Sequence, residues 1–249
     1  MAIKTILVSQ PKPEGDKSPY FDLAEKYKLK IDFRPFIRVE GINAQEFRTQ
    51  RINIPEHTAI ILTSKAAIDH FFRMSEEIRF TVPDTMKYFC ISEAVAYYLQ
   101  KYVNYRKRKI FYGKQTIEDL VEVMKKHKKE KFLLPCTDIL RDKIPETLEL
   151  QSIPFTKAIL YRTVASDLSD LEDVYYDMLV FFSPGGIESL MKNFPDFKQN
   201  TTAIAAFGPT TANAVLKNNL RLDVNAPMPN APSMTAAIEL FVKESLKKK

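Results

Sequence analysis

Three blocks of this chain recur at nearly one spacing, and that recurrence limits the fold more than any other feature. The run ending Leu62-Thr63-Ser64-Lys65-Ala66-Ala67-Ile68 resembles Phe182-Ser183-Pro184-Gly185-Gly186-Ile187, with Ser64 and Ser183 standing 119 positions apart. Cys90-Ile91-Ser92-Glu93-Ala94-Val95-Ala96 resembles Phe207-Gly208-Pro209-Thr210-Thr211-Ala212-Asn213, and pairing Ile91 with Gly208 gives 117. Gln115-Thr116-Ile117-Glu118-Asp119-Leu120 resembles Ser233-Met234-Thr235-Ala236-Ala237-Ile238, at an offset of 118. Joints between strands and helices share a vocabulary of Ser, Thr and Gly, so one likeness alone means little. A shared offset implies two copies of the same α/β unit.

Short apolar runs alternate with amphipathic stretches along the whole chain. The strands expected are Ile3–Val8, Ile31–Phe36, Ala59–Leu62, Tyr88–Cys90, Phe132–Leu134, Ala158–Tyr161, Met178–Phe182, Ala203–Phe207 and Leu222–Asn225. Helices fall between most of them, with starts at Asn43-Ala44-Gln45-Glu46, Thr116-Ile117-Glu118-Asp119 and Ser233-Met234-Thr235, where a side chain can cap free amides. Such alternation predicts parallel sheets covered by helices on both faces, with ligands beyond the carboxyl ends of the strands. The runs Ile31–Ile37 and Ile153–Ile159 also resemble each other. If each leaves one domain for the other, residues 38–161 form a second domain inserted into a first made of residues 1–37 and 162–249. Linkers then lie near 34–40 and 157–164. Two independent consecutive halves are the competing topology.

A length of 249 residues suits two domains of about 100–150 each. No run reaches the roughly 18 apolar residues of a membrane helix. Residues 1–10 lack the basic, apolar and small-residue segments of a secretion signal, so a cytoplasmic protein is expected. Cys90 and Cys136 are spaced for neither a disulfide framework nor a metal site. The net charge is +6, concentrated in Arg106–Lys109, Lys125–Lys129 and the tail Lys247-Lys248-Lys249. A basic surface suits nucleic acid, an anionic membrane or a polyacidic small molecule. No nucleic-acid-binding signature accompanies these runs, which read as solvated surface. Neither Gly-x-Gly-x-x-Gly nor Gly-x-x-x-x-Gly-Lys-Ser/Thr occurs, and six glycines leave little room for either. His57, His70 and His127 form no ligand spacing and read as surface or packing residues. Gly-x-Ser-x-Gly is absent.

The chemistry is then expected at four joints: Thr63-Ser64, Ser92-Glu93, Ser183-Pro184-Gly185-Gly186 and Gly208-Pro209-Thr210-Thr211. The first amides of a helix lack internal partners and carry partial positive charge, so such ends attract carboxylates and phosphates. Ordinary capping by Ser and Thr is the plainer reading of any single joint. Four joints of one type favour a cleft for a polyanion. Tyr161, in Ile159-Leu160-Tyr161-Arg162-Thr163-Val164, offers a phenol able to give or hold a proton. A strand residue with a wet hydroxyl is the alternative.

These blocks resemble the uroporphyrinogen-III synthase family. Phe181-Phe182-Ser183-Pro184-Gly185-Gly186 is similar to its Phe-Phe-Ser-Pro-x-Gly block, and Gly208-Pro209-Thr210-Thr211-Ala212 to its Gly-x-Thr-Thr-Ala block. Thr63-Ser64 looks like the family's first Thr-Ser joint, and Tyr161-Arg162-Thr163 like its Tyr-x-Thr. Residues 226–237 resemble the segment leading into the last helix. The family often has Pro-Arg after Thr-Ser where this chain has Lys65-Ala66, and Ile91-Ser92-Glu93-Ala94-Val95 lacks the Gly and Thr of its joint.

The resemblance implies an α/β fold of two similar doubly wound, flavodoxin- or Rossmann-like parallel-sheet domains joined by a two-stranded linker, with the active site in a cleft. It implies a cofactor-free, metal-free lyase of heme biosynthesis that cyclises hydroxymethylbilane to uroporphyrinogen III, inverting ring D and losing water. Tyr161 would be catalytic. Thr63, Ser64, Lys65, Ser92, Glu93, Ser183, Pro184, Gly185, Gly208, Thr210 and Thr211 would bind substrate. The expected state is a cytoplasmic monomer without nucleic-acid or membrane partners. A non-catalytic two-lobed binder of a polyanionic small molecule is the alternative, and nucleic-acid binding through the basic runs is a third reading.

Overall fold

The computed structural model describes residues 3–139, 143–172 and 174–247. Lys248 and Lys249 of the basic tail lie outside the described residues. The chain opens with β1 (Thr5–Val8), α1 (Pro19–Tyr27) and β2 (Lys30–Phe33). It continues through β3 (Ile37–Gly41), α2 (Ala44–Thr49), β4 (Ala59–Leu62), α3 (Lys65–Glu77), β5 (Lys87–Cys90) and α4 (Glu93–Leu99). Next come β6 (Ile110–Tyr112), α5 (Ile117–Met124), β7 (Phe132–Thr137), α6 (Lys143–Leu150) and β8 (Phe155–Ala165). The last stretch is β9 (Met178–Phe181), α7 (Pro184–Asn193), β10 (Ala203–Phe207), α8 (Pro209–Lys217), β11 (Val224–Ala226) and α9 (Met234–Lys247). Residue contacts divide the chain into one compact unit of Met1–Arg38 with Val164–Lys249 and another of Val39–Thr163.

The terminal unit carries a five-stranded sheet of order β11-β10-β9-β1-β2, and the internal unit a six-stranded sheet of order β3-β8-β7-β4-β5-β6. The β1, β2, β9, β10 and β11 pairings are parallel, as are those linking β8, β7, β4, β5 and β6. The two orders match when β9 is laid on β4, β10 on β5, β11 on β6, β1 on β7 and β2 on β8. The internal unit runs through this order without interruption. In the terminal unit the last two strands have moved to the start of the chain, because the internal unit is inserted after β2.

A parallel sheet flanked by helices is buried on both faces, so its strands are apolar throughout. Successive side chains still point to opposite faces. In β4, Ile60 and Leu62 enter one core while Ala59 and Ile61 enter the other. In β9, Met178 and Val180 face one core, and Leu179 and Phe181 the other. α3 and α4 bury Ala67, Ile68, Phe71, Val95 and Leu99 on one face of the internal sheet. α5 and α6 bury Leu120, Val121, Met124 and Leu148 on the other. The terminal sheet is covered likewise, by α1 and α9 on one face and α7 and α8 on the other.

Three departures from the sequence reading have local causes. The strand expected over Ile31–Phe36 stops at Phe33; Pro35 has no N–H for the ladder, and Phe36 turns into the core beside Phe181. The strand Ile37-Arg38-Val39-Glu40-Gly41 went unseen because charges alternate along it. Ile110-Phe111-Tyr112 was obscured by the basic loop before it. The repeat is also one residue out of register in two blocks. Helix caps align Ser92 with Gly208 and Thr116 with Ser233, rather than Ile91 with Gly208 and Gln115 with Ser233. β5 leaves Ile91 between the strand and its cap, whereas β10 runs directly into Gly208.

Phe89 tests the internal core. It is fully buried, stacked on Phe111 with centroids 4.9 Å apart and edge-on to Phe132 at 5.2 Å. Phe89→Ala should remove about 3–5 kcal/mol of stability through lost burial and the cavity left behind. Urea unfolding followed by circular dichroism measures it; an unchanged midpoint would contradict this packing.

Candidate active site

Both sheets reverse direction of growth at one place. From β4 the chain builds outward to β5 and β6, and from β7 it builds the other way to β8. The equivalent point in the terminal unit lies between β9 and β1. At such a switch the loops leaving the carboxyl ends diverge, which opens the crevice where α/β sheets bind ligands.

In the internal unit the first of these loops is Thr63-Ser64. Ser64 has extended backbone (φ −161°, ψ 166°) and its Oγ accepts from the Ala67 N–H at 3.1 Å, capping α3. That bond satisfies the third helical amide. The amides of Lys65 and Ala66, ahead of it, have no partner within the helix. Thr63 and Ser64 are partly exposed and Lys65 is exposed. The Lys65 ammonium lies 5.2 Å from the centre of the Tyr98 ring, a cation–π contact that keeps the charge near the corner. Ser92 caps α4 by accepting from the Val95 N–H at 3.4 Å. Glu93 begins that helix with an exposed carboxylate that accepts from the Tyr112 hydroxyl at 3.3 Å.

Tyr161 reaches the same group of residues from β8, where it pairs in register with Thr137 of β7. Its side chain is buried and stacks on His70 of α3, with centroids 4.9 Å apart and planes 20° from parallel. Burial raises the phenol above its ordinary value, and a hydrogen bond with Ser64 pulls it part of the way back.

In the terminal unit Ser183 caps α7, its Oγ accepting from the Gly186 N–H at 3.3 Å. Pro184 takes the first helical position, where a missing N–H costs nothing. A Cβ on Gly185 would meet Ile37 at an ordinary 3.5 Å, while one on Gly186 would press to 3.1 Å against the Phe181 ring. The sterically required glycine is therefore Gly186. Gly208 caps α8 at φ +84°, without a side-chain bond and with open space where a Cβ would stand. Thr210 is exposed; Thr211 is buried, so only its backbone amide faces the corner.

The sequence-predicted residues therefore fall into two groups, one in each unit. Sequence reasoning missed Ser9, which follows β1 on the far side of the terminal switch. Its N–H donates to the Val180 carbonyl at 2.9 Å, and its Oγ would stand 3.7 Å from a Cβ on Gly186. Its only signal was its place after a strand, useful once β1 is known to pair with β9. The sequence reads His70 as a surface or packing residue, and nothing in its spacing points to Tyr161. Burial pushes the thiol of Cys90 up to about 12 and that of Cys136 to about 11, which makes both poor nucleophiles. Among the described residues no cluster of three or more His, Cys, Asp or Glu is placed to hold a metal ion.

The site can therefore offer unpaired amides and a cation to carboxylates, and a proton from a buried phenol. A profile of the family described as uroporphyrinogen-III synthase HemD matches residues 19–236. A uroporphyrinogen-III synthase of Saccharomyces cerevisiae is 25% identical over 241 residues, spanning 84% of this chain and 86% of that one. The crystal structure of uroporphyrinogen-III synthetase from Helicobacter pylori 26695 has the same fold, with a TM-score of 0.57 at 16% identity, covering 97% of this chain and all of that one. By the extent of the profile match, the chain is a member of the uroporphyrinogen-III synthase family.

Proposed function

We propose that this protein converts hydroxymethylbilane to uroporphyrinogen III, closing the linear tetrapyrrole with inversion of ring D and loss of one water, as a cofactor-independent lyase of heme biosynthesis. Family membership supports the reaction. The observation that carries the residue roles is the buried Tyr161 phenol stacked on His70 of α3, the helix that Ser64 caps at the end of β4.

The substrate carries acetate and propionate groups on every pyrrole. Carboxylates of this kind suit the amides of Lys65 and Ala66, the Lys65 ammonium, the amide of Gly185 and those of Thr210 and Thr211. A bilane held by several carboxylates at once is confined to few conformations, which is the main way a protein without cofactor can favour one closure over another. Tyr161 donates its proton to the terminal hydroxyl, the C–O bond breaks with its electrons leaving on water, and an azafulvenium cation remains. The substituted carbon of ring D attacks it, giving a spiro intermediate that fragments and recloses with that ring reversed. The proton lost on final ring closure returns to the Tyr161 phenolate, so bilane yields macrocycle plus water. The raised phenol stays protonated at neutral pH, as a proton donor must.

In this reading the protein is a cytoplasmic monomer that binds a small molecule and neither nucleic acid nor membrane. No described helix is long and apolar enough to cross a bilayer. A non-catalytic binder of the same polyanion is separated by one assay.

Incubation with hydroxymethylbilane, then oxidation and chromatography, should yield the type III isomer; type I alone, the product of unassisted closure, sinks the proposal. Tyr161→Phe should lower kcat by about 100-fold, the low end of what a positioned proton donor contributes, while still giving type III, since only proton donation is removed. A mutant at full rate removes Tyr161 from the mechanism. Gly208→Ala forces a Cβ onto φ +84° and should cost roughly 1 kcal/mol or more of stability. It should also raise KM by shifting the Thr210 and Thr211 amides; an unchanged KM with the same fold would take that corner out of the binding site.

A further inference from the structure

His70 stacks on Tyr161, and its own position is set by a third residue. The Arg73 Nε–H donates to His70 Nδ1 at 3.3 Å. One Nη2 of the same guanidinium donates to the carbonyl of Leu160 at 3.2 Å, and to that of Ile42 at 2.7 Å. Its Nη1 is paired with Glu77. Arg73 therefore ties His70 to the backbone immediately before Tyr161. Space for the guanidinium is reserved by Gly41, where a Cβ would fall 2.7 Å from Arg73 Cζ. Gly41 is not among the glycines of positive φ, so close approach, and not backbone conformation, is what calls for glycine here.

We propose that His70, held by Arg73, is a positioning residue for the Tyr161 phenol. The inference rests on the reading of Tyr161 as the proton donor. Because an arginine N–H occupies Nδ1, His70 is neutral with its proton on Nε2. Its flat ring covers one face of the phenol and keeps water from it, while the Arg73–Leu160 bond fixes the strand that carries the phenol. A cation is thereby kept one residue away from the ring that must hold a proton, and neutral imidazole is placed against it. The groups with an electrostatic hold on the pair are Arg73 and Asp69 on α3, Ser64 at its cap, and Cys136 of β7. Asp69 is itself held by the hydroxyls of Tyr98 and Tyr102 and by Lys101.

Steady-state kinetics across pH on four variants decide this. His70→Ala should lower kcat about tenfold with KM changed by less than about twofold, because orientation is lost and the carboxylate contacts are not. Its alkaline limb should move to lower pH, since exposing the phenol removes the burial that raises its titration. His70→Phe keeps a ring over the phenol and should recover kcat to within about threefold of the parent. Gly41→Ala displaces the guanidinium without touching either ring and should lower kcat in the same direction. A folded His70→Ala protein, judged by its thermal midpoint, with parental kcat and alkaline limb would overturn the positioning role. If His70→Ala does not fold, Gly41→Ala decides: an unchanged kcat overturns the role. Tyr161→Phe is the fourth variant, and full activity in it overturns the donor reading and not the geometry of the stack.

Discussion

A parallel sheet covered on both faces has no room for unpaired polar groups, and the rest of this molecule follows from that constraint. Every residue of β4 and nearly all of β9 and β10 is buried, so their backbones must be paired in the ladder and their side chains apolar. Chemistry is expelled to the strand ends. Each helix runs back antiparallel to the strand before it, so its N-terminus lies at the carboxyl end of the sheet. The partial positive charge of α3, α4, α7 and α8 is delivered to one edge in each unit by the same rule that builds the core. Ser64, Ser92, Ser183 and Gly208 are the caps at these edges.

The four corners are not equivalent, and their differences are written in one or two residues each. A serine cap commits the third helical amide, so α3 retains the amides of Lys65 and Ala66. Proline at the first position removes one donor from α7 and α8. At α7 this leaves Gly185 alone. At α8 the missing side chain of Gly208 leaves the Thr211 amide uncommitted, which makes up for Pro209. Glu93 opens α4 with its own carboxylate, which already answers the helix dipole and repels another anion. Three corners therefore suit carboxylates, and the α4 corner is suited least. That corner is also where the sequence departs from the family's Gly and Thr.

Strand interiors and helix starts were legible because each has a local signature. Ala59–Leu62 and Ala203–Phe207 are apolar without interruption, and Asn43 and Thr116 cap their helices through the amides of Glu46 and Asp119. Recurrence of such joints at one offset marks two units in the sequence alone. What stayed hidden depends on non-local pairing. Ser9 gains meaning only because β1 lies beside β9, 172 residues downstream at Ile6↔Met178. The one-residue slips in the repeat came from strand lengths that composition does not report. His70 sits one turn and a half along α3 from Ser64, where helical spacing alone predicts a core contact; the stack with Tyr161 requires the end of β8. The edge strand β6 is three residues long, too short for a periodic signal to emerge from its basic flank.

The insertion between β2 and β9 would carry a heavy entropic cost if its ends were free. A flexible loop the length of residues 39–163 costs more to close than a short turn, although the cost grows only with the logarithm of length. The internal unit lowers it further by its own folding. β3 and β8, the strands by which the chain enters and leaves, are neighbours in its sheet, and the Ile42 N–H donates to the Leu160 carbonyl at 3.1 Å. Once that sheet forms, the chain at Arg38 and at Val164 is already close in space, and β9 is presented to β1 across a short effective loop. The start of their pairing is then locked by Asp177, whose carboxylate accepts from the N–H groups of Lys4 and Thr5 and from the Thr5 hydroxyl. The β3–β8 neighbourhood that shortens this loop includes Gly41, Ile42 and Leu160, the three backbone positions against which Arg73 rests. The strands that solve the topological problem of a discontinuous unit are thus the strands that place the phenol.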